Sequence, residues 1–312
     1  MCTFNGARYV QQQIDSLLQQ DWPRIEVVVS DDGSTDGTQE ILAACARNDP
    51  RIQVTFNPVN LGFQKNFEAT IARCTGEWIA PCDQDDLWLP PKLSVLMAAL
   101  QQSGGVMAYC DSELIDEHAQ PLGVHVSSLR RRFNTDDPIP LLLNNNVSGH
   151  AMLFSRALLA QAMPFPSSGF HDWWLAYVAA STGHVCYVDR GLVLHRQHGG
   201  NVTNLRGAEC TAPPRARGFR RIELDHIAER LANFARIPGK GQDLALELLA
   251  LWQARETQWI SGALFRFVWR HRTRLFAIDT DSNWKKFRKA LTYLWGLRTK
   301  ELLEPHRYVK SN

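Results

Sequence analysis

Three carboxylates, Asp83, Asp85 and Asp86, fall within four positions of the stretch APCDQDDLWLPPKL, residues 80–93, with apolar residues on both sides. Like charges this close repel, so the grouping needs a compensating gain: a solvated acidic turn, a helix start or a divalent cation. Along an extended segment side chains alternate, which points Asp83 and Asp85 to one side and Asp86 to the other. Two carboxylates on one side suit a hard cation such as Mg²⁺, which takes one or two of them and fills its shell with water and substrate phosphates. The plainer alternative is a helix cap: Asp85 or Asp86 begins the helix at PPKL, with Pro90 or Pro91 in its first turn. A cap accounts for one aspartate, not three.

Other segments carry chemistry of their own. In DDGSTDGT, Asp31 and Asp32 follow a short apolar run, where a carboxylate can accept from a base or ribose; turn chemistry and helix capping are the alternative. HDWWLAYVAASTG opens a helix with His171 and Asp172. Asp172 either complements the helix dipole or serves as a general base toward an acceptor hydroxyl. LHRQHGGN gathers His195, Arg196, His198, two glycines and Asn201, residue types that approach metal or phosphate closely but are equally common as ordinary surface or core groups.

These residues need elements to hold them. YVQQQIDSLLQQ places Val10, Ile14, Leu17 and Leu18 on one helical stripe. IEVVVS is a β-branched run with almost no polar alternation, the mark of a strand buried on both faces of a parallel sheet. Helix and strand signals then alternate: QEILAACA, IQVTF, FEATIARC and EWIAPCD, then PKLSVLMAALQQ, VMAYCD, AMLFS, RALLAQAM and HVCYVD. The pattern is α/β, with a mostly parallel central sheet flanked by helices. Only Met1 and Cys2 precede the TFNG loop, whereas strands average about 5–6 residues. The expected first strand is therefore missing from the pattern, so either the true start lies upstream or the chain is shortened.

From Arg206 onward strand signals stop, and Lys and Arg outnumber Asp and Glu; before it the balance is acidic. Two domains are expected, 1–205 and a basic, helical 206–312. Five of the ten tryptophans (Trp252, Trp259, Trp269, Trp284 and Trp295) lie in the second, among basic residues. Basic helices with aromatic faces suit an anionic membrane surface; packing against the main domain is the alternative. No nucleic-acid motif accompanies the charge, so no nucleic acid is expected. Seven cysteines without C-x-x-C spacing argue against thiolate zinc and for a reducing compartment. No run of 18 apolar residues and no signal sequence occur, so a cytoplasmic protein, peripheral on the inner face of the plasma membrane, is expected.

In order, TFNG, VVVSDDGSTDGT, NLGFQKNF, GEWIAPCDQDDLWLPPKL, HDWW and RQHGGN resemble the family 2 glycosyltransferases of GT-A fold, over residues 3–204. DQDDLW, HDWWLA and RQHGGN together look most like bacterial rhamnosyltransferases of surface polysaccharides. The resemblance implies inverting transfer from a nucleoside-diphosphate sugar, dTDP- or UDP-linked, to a lipid-linked or polysaccharide acceptor, with Mg²⁺ or Mn²⁺ as cofactor. It places Thr3, Asn5, Asp32, Lys65, Asp83 and Arg196 at the nucleotide sugar. It gives Asp83, Asp85 and His198 to the metal and makes Asp172 the catalytic base. An N-terminally truncated, inactive sugar-nucleotide binder shares these motifs. An oxidoreductase is disfavoured because no G-x-G-x-x-G follows a strand, and a nucleotidyltransferase because no Gly-rich, Lys-containing phosphate loop is present.

Overall fold

A computed structural model describes residues 1–167, 169–199 and 219–308. Gly200 and Asn201 of the RQHGGN motif, and the boundary expected at 205/206, lie outside the described residues. The chain forms two compact units. One comprises Met1–Asp136, Val147–Ala179 and the stretch beginning at Gly183; the other comprises Asp137–Asn146, Ala180–Thr182 and the helices that follow.

The first unit opens with a parallel sheet in the order β1 (Cys2–Thr3), β2 (Val27–Asp31), β3 (Ile52–Phe56). Every residue of β2 is buried, as its unbroken apolar run requires. Helices α1 (Val10–Leu18), α2 (Thr38–Asn48) and α3 (Phe63–Arg73) alternate with these strands, and α1 buries Val10, Ile14 and Leu17. The chain start does supply a strand, two residues long. Cys2 pairs with Ser30 and Thr3 with Asp31, which sets the TFNG loop in register with the carboxyl end of β2.

A second sheet runs β4 (Trp78–Ile79), β8 (Met152–Ser155), β6 (Met107–Ile115), β9 (Val185–Arg196), β5 (Leu87–Trp88), with β7 (Pro121–His125) hairpinned onto β6. Only β6 and β9 are parallel; the remaining pairs are antiparallel. Parallel pairing thus covers the first three strands and the centre of the second sheet. β5 continues directly from the acidic motif and pairs Leu87 with Leu194 and Trp88 with Val193, so DQDD meets LHR across one ladder. Between the two stretches lie α4 (Lys92–Ser103), α5 (Val126–Leu129), α6 (Leu159–Ala162) and α7 (His171–Thr182). Leu175, Ala176, Tyr177, Val178 and Ala179 of α7 are all fully buried, so the helix is apolar nearly all round.

The second unit is helical: α8 (Phe219–Phe234), α9 (Gln242–Ala254), α10 (Gly262–Leu275), α11 (Asn283–Leu291), α12 (Leu297–Leu303) and α13 (Pro305–Tyr308). Trp252 is buried and donates its indole N–H to Leu224 O (3.2 Å). Arg274 grips Asp137 through two 2.7 Å bonds. No helix among the described residues is long and apolar enough to cross a membrane.

Candidate active site

Two carboxylates end β2, and both are held by the protein itself. Asp31 accepts from Thr3 Oγ1 (2.9 Å), Ser34 N (2.9 Å) and Gln39 Nε2 (2.8 Å). Burial opposes its ionisation, but a bond from the Ser34 hydroxyl, followed by those from Ser34 N, Gln39 and Thr3, outweighs it and keeps the carboxyl below its ordinary value. Asp32, expected at the base, is 3% exposed and fastens the NLGF loop: it accepts from Asn57 Nδ2 (3.0 Å), Leu61 N (2.8 Å) and Gly62 N (2.9 Å). Asn5 adopts the left-handed region (φ 49°), which asparagine tolerates, and its Oδ1 accepts from Thr35 N (3.0 Å). Thr3 and Asn5 therefore shape the rim as parts of one braced turn. Lys65 stands exposed on α3, without an ion pair among the described residues.

The acidic motif is clasped to that rim by a residue the sequence reading passed over. Gln84 accepts from Phe4 N (2.9 Å) and donates to Phe4 O (3.1 Å), as a neighbouring strand would. A Cβ at Gly6 would stand 2.2 Å from Gln84 Oε1, so the absence of a side chain there makes room for the clasp.

The three aspartates sit in three different environments. Asp83 is the most open, with a third of its side chain exposed. Asp85 Oδ2 lies 2.8 Å from His198 Nε2, and burial followed by repulsion from Asp86 and Asp83 pushes its carboxyl up to about 6. Asp86 is fully buried. The expectation that it starts the PPKL helix is corrected: α4 begins after Pro91 with no side-chain cap, and Asp86 turns inward instead. Its Oδ1 meets His195 Nδ1 (2.9 Å) and Arg196 N (3.0 Å), and its Oδ2 lies 3.5 Å from His150 Nδ1. A buried carboxylate needs such partners. Burial opposes its ionisation, but His195 and His150 more than offset that and lower its pKa.

Arg196, expected at the diphosphate, is 1% exposed and spans the site from behind. It donates from Nε to Asp85 O (2.8 Å), from Nη1 to Glu117 O (3.1 Å) and from Nη2 to Gln12 Oε1 (2.9 Å). In this arrangement it positions the acidic motif, with its donors engaged by the protein. Lys92, also buried, donates to His150 O (2.7 Å), and burial brings its ammonium down to about 7.

Asp172 lies half-buried at the first turn of α7. Burial pushes its carboxyl up to about 7, Asp83 adds to the rise, and hydrogen bonds from the Trp173 and Gly149 amides oppose it. Asp83 also acts electrostatically on His171, which is 3% exposed, stacks on Phe67 at 3.9 Å and is brought to about 4 by burial. The acidic motif and the α7 terminus therefore share one electrostatic environment. The segment VSGHA, residues 147–151, links them: Gly149 bonds Asp172 while His150 abuts Asp83 and Asp86. No spacing rule singles out that segment in the sequence.

Among the described residues one set of three donors converges closely, and the expected ligands Asp83, Asp85 and His198 are not brought into such a set. Asp86, His150 and His195 offer atoms within 4.8 Å of one another, but the set is sealed (side chains 0%, 6% and 10% exposed). Asp85 and His198, beside Asp83, are more open (14%, 17% and 33%). Clustered carboxylates with an imidazole fit Mg²⁺ or Mn²⁺, and an ion that also binds substrate needs an open position.

Residues 1–161 match the family model described as Glycosyl transferase family 2. An uncharacterized glycosyltransferase of Nostoc sp. is 28% identical over 231 residues, 71% of this chain and 70% of the relative. The putative colanic acid biosynthesis glycosyl transferase WcaA of Escherichia coli is 37% identical over 102 residues, 33% of this chain and 37% of the relative. Among solved structures, S. aureus TarS 1-349 in complex with UDP-GlcNAc superposes with a TM-score of 0.59 at 17% identity, covering 96% of this chain and 82% of that one. The mannosyltransferase PcManGT from Pyrobaculum calidifontis, in complex with GDP-Man and Mn²⁺, gives 0.52 at 18%, covering 98% and 80%. These structural likenesses establish a shared fold.

Proposed function

The chain belongs to glycosyl transferase family 2, and we propose that it moves a sugar from a nucleoside diphosphate to a hydroxyl of a growing cell-surface polysaccharide or lipid-linked glycan, with inversion. L-rhamnose from dTDP-rhamnose is the donor best matched by DQDDLW, HDWWLA and RQHGGN taken together. The relative named for colanic acid biosynthesis supports a surface-polysaccharide acceptor.

One observation carries the reading: a half-buried carboxyl at the α7 terminus, poised near neutrality, shares its surroundings with the acidic motif. A base works best when its pKa lies near the working pH. Asp172 takes the proton of the acceptor hydroxyl as that oxygen forms its bond to the anomeric carbon. The bond from that carbon to the diphosphate breaks on the opposite face, which inverts the centre. Asp85 and His198, with Asp83 beside them, would hold a divalent cation, which would neutralise charge on the departing diphosphate. Arg196 and Gln84 keep the motif in place, from behind and at the rim. Thr3, Asn5 and the Asp32-braced loop form the nucleotide edge, and Lys65, exposed on α3, is the further diphosphate candidate.

A thermal-shift screen of dTDP-rhamnose, UDP-GlcNAc and GDP-mannose, with Mn²⁺ or with EDTA, tests this. Stabilisation by dTDP-rhamnose that EDTA removes is expected. Stabilisation by another donor replaces rhamnose, and no response to any donor contradicts donor binding.

A further inference from the structure

In the first unit, the stretch SSLRRRF, residues 127–133, carries three consecutive arginines to which the proposed transfer gives no role. The third turns into the protein. The Arg132 side chain is 2% exposed, and its Nε lies 3.7 Å from the carboxylate of Asp111 on β6, itself only 5% exposed. A buried guanidinium needs partners for its donors. Nη1 donates to Cys110 O (3.0 Å) and Nη2 to Ser148 Oγ (3.2 Å). Its surroundings are fixed to β6 as well. Asp111 accepts from Ser127 N (2.9 Å) and Ser127 Oγ (2.6 Å), and the Tyr109 hydroxyl bonds both the amide and the carbonyl of Phe133 (3.1 Å each). Arg132 thus ties β6 to one atom of the VSGHA segment. Ser148 precedes Gly149, whose amide bonds Asp172. A Cβ at Gly149 would stand 2.9 Å from His171 Nε2 and 3.5 Å from Asp172 Cβ, so the segment lies directly against the first turn of α7. On the other side of Gly149, His150 O accepts from Lys92 Nζ (2.7 Å), and His150 Nε2 lies 3.0 Å from Ser112 Oγ. The residue that meets Asp172 is therefore held through both of its neighbours.

We infer that Arg132 is a positioning residue for sugar transfer, setting the Gly149 amide against the Asp172 carboxyl through its bond to Ser148. The inference rests on the reading of Asp172 as base. A planar guanidinium suits the task because its arms leave in fixed directions, so one side chain can face Asp111, Cys110 O and Ser148 Oγ together. Reaction rates are sensitive to such placement: a shift on the order of 1 Å at a reacting group, caused from a distance, costs about 10²-fold. The effect belongs to the chemical step and not to donor binding, because Ser148 and Gly149 meet the first turn of α7 and not the β2 rim.

The test compares Arg132→Lys, Ser148→Ala and the two combined, with Asp172→Asn as reference. Lysine keeps a cation beside Asp111 but has no second arm for Cys110 O and Ser148 Oγ at once. Ser148→Ala removes one hydroxyl and no charge, so it reports even where the arginine variant folds poorly. Nucleoside diphosphate release with acceptor present is read per donor-binding site, so misfolded protein does not count. Arg132→Lys is expected to lower kcat about tenfold or more, with the donor's KM within about twofold. Ser148→Ala should lower kcat about two- to tenfold. The double variant should be no slower than Arg132→Lys, because both changes remove one contact. The acid limb of kcat/KM should move upward in all three, since the Gly149 bond opposes the rise in the Asp172 pKa. The charged and titratable groups around that carboxyl (Asp83 of the acidic motif, Arg130 and the adjacent His171) are untouched. With Asp172→Asn inactive, additive losses in the double variant, an unmoved acid limb or full kcat in Ser148→Ala each overturn the inference and leave the base in place. Normal turnover by Asp172→Asn overturns both.

Discussion

At the scale of residues, Asp172 is where function and stability pull apart. Its carboxyl is pushed up to about 7 by burial, so the ionised form that its proposed role as base requires is the form the fold disfavours. Two outcomes follow. The rate of sugar transfer should rise with pH through an acid limb near 7, measured as kcat/KM from pH 5.5 to 8.5. The sign for stability is opposite. A raised folded pKa makes the folded state hold its proton more tightly, so this contribution is lost as pH rises from about 4 to about 7. Asp172→Asn should therefore raise Tm at pH 8, at roughly 2–4 °C per kcal/mol relieved, and leave it little changed at pH 4. A Tm that falls equally at both pH values contradicts the assignment. Asp86 works the other way: it is buried and compensated. His195→Ala leaves that charge without its closest imidazole and should cost about 3–5 kcal/mol in urea unfolding.

At the scale of elements, the site depends on stretches far apart in sequence meeting at one sheet edge. The Gln84 clasp holds the TFNG loop to the acidic motif by two bonds from its side-chain amide to the Phe4 main chain. Gln84→Ala should raise the donor's KM about two- to tenfold, the range expected for losing about 0.5–1.5 kcal/mol of hydrogen bonding, with kcat near its original value. A fall in kcat at unchanged KM contradicts a rim role. This scale also separates what the sequence could convey from what it could not. Helix α1 was legible because Val10, Ile14 and Leu17 repeat with the helix period, and β2 because its apolar run is unbroken. The inward turn of Asp86 was not, because it depends on His195 and His150 arriving from β9 and from the segment before β8. Alternation along one segment carries no information about partners more than sixty residues away. The antiparallel pairs of the second sheet were hidden for the same reason: short apolar runs such as AMLFS look alike in either direction.

At the scale of the whole molecule, the second unit carries an exposed aromatic ridge among basic residues. Trp269 meets Phe287 edge-on at 5.3 Å, and Trp284 stacks on Phe287 at 5.5 Å. Trp284 is 66% exposed, and Arg266, Arg270, Lys285 and Arg288 are exposed nearby in sequence on α10 and α11. Aromatic side chains beside cationic ones fit the interface of an anionic bilayer, where the proposed lipid-linked acceptor would be presented. The chain should co-sediment with vesicles containing phosphatidylglycerol but not with pure phosphatidylcholine, and Trp269→Ala with Trp284→Ala should reduce that binding. Unchanged sedimentation by the double variant makes the ridge a packed surface instead. Transfer is proposed to depend on Asp172 as base and on Asp85 at the cation. The most direct measurement is nucleoside diphosphate release, with donor, acceptor and Mn²⁺ present, by the unaltered chain, Asp85→Ala and Asp172→Asn. Release by the unaltered chain alone is expected, with Asp172→Asn still stabilised by donor; normal turnover by either variant contradicts the account.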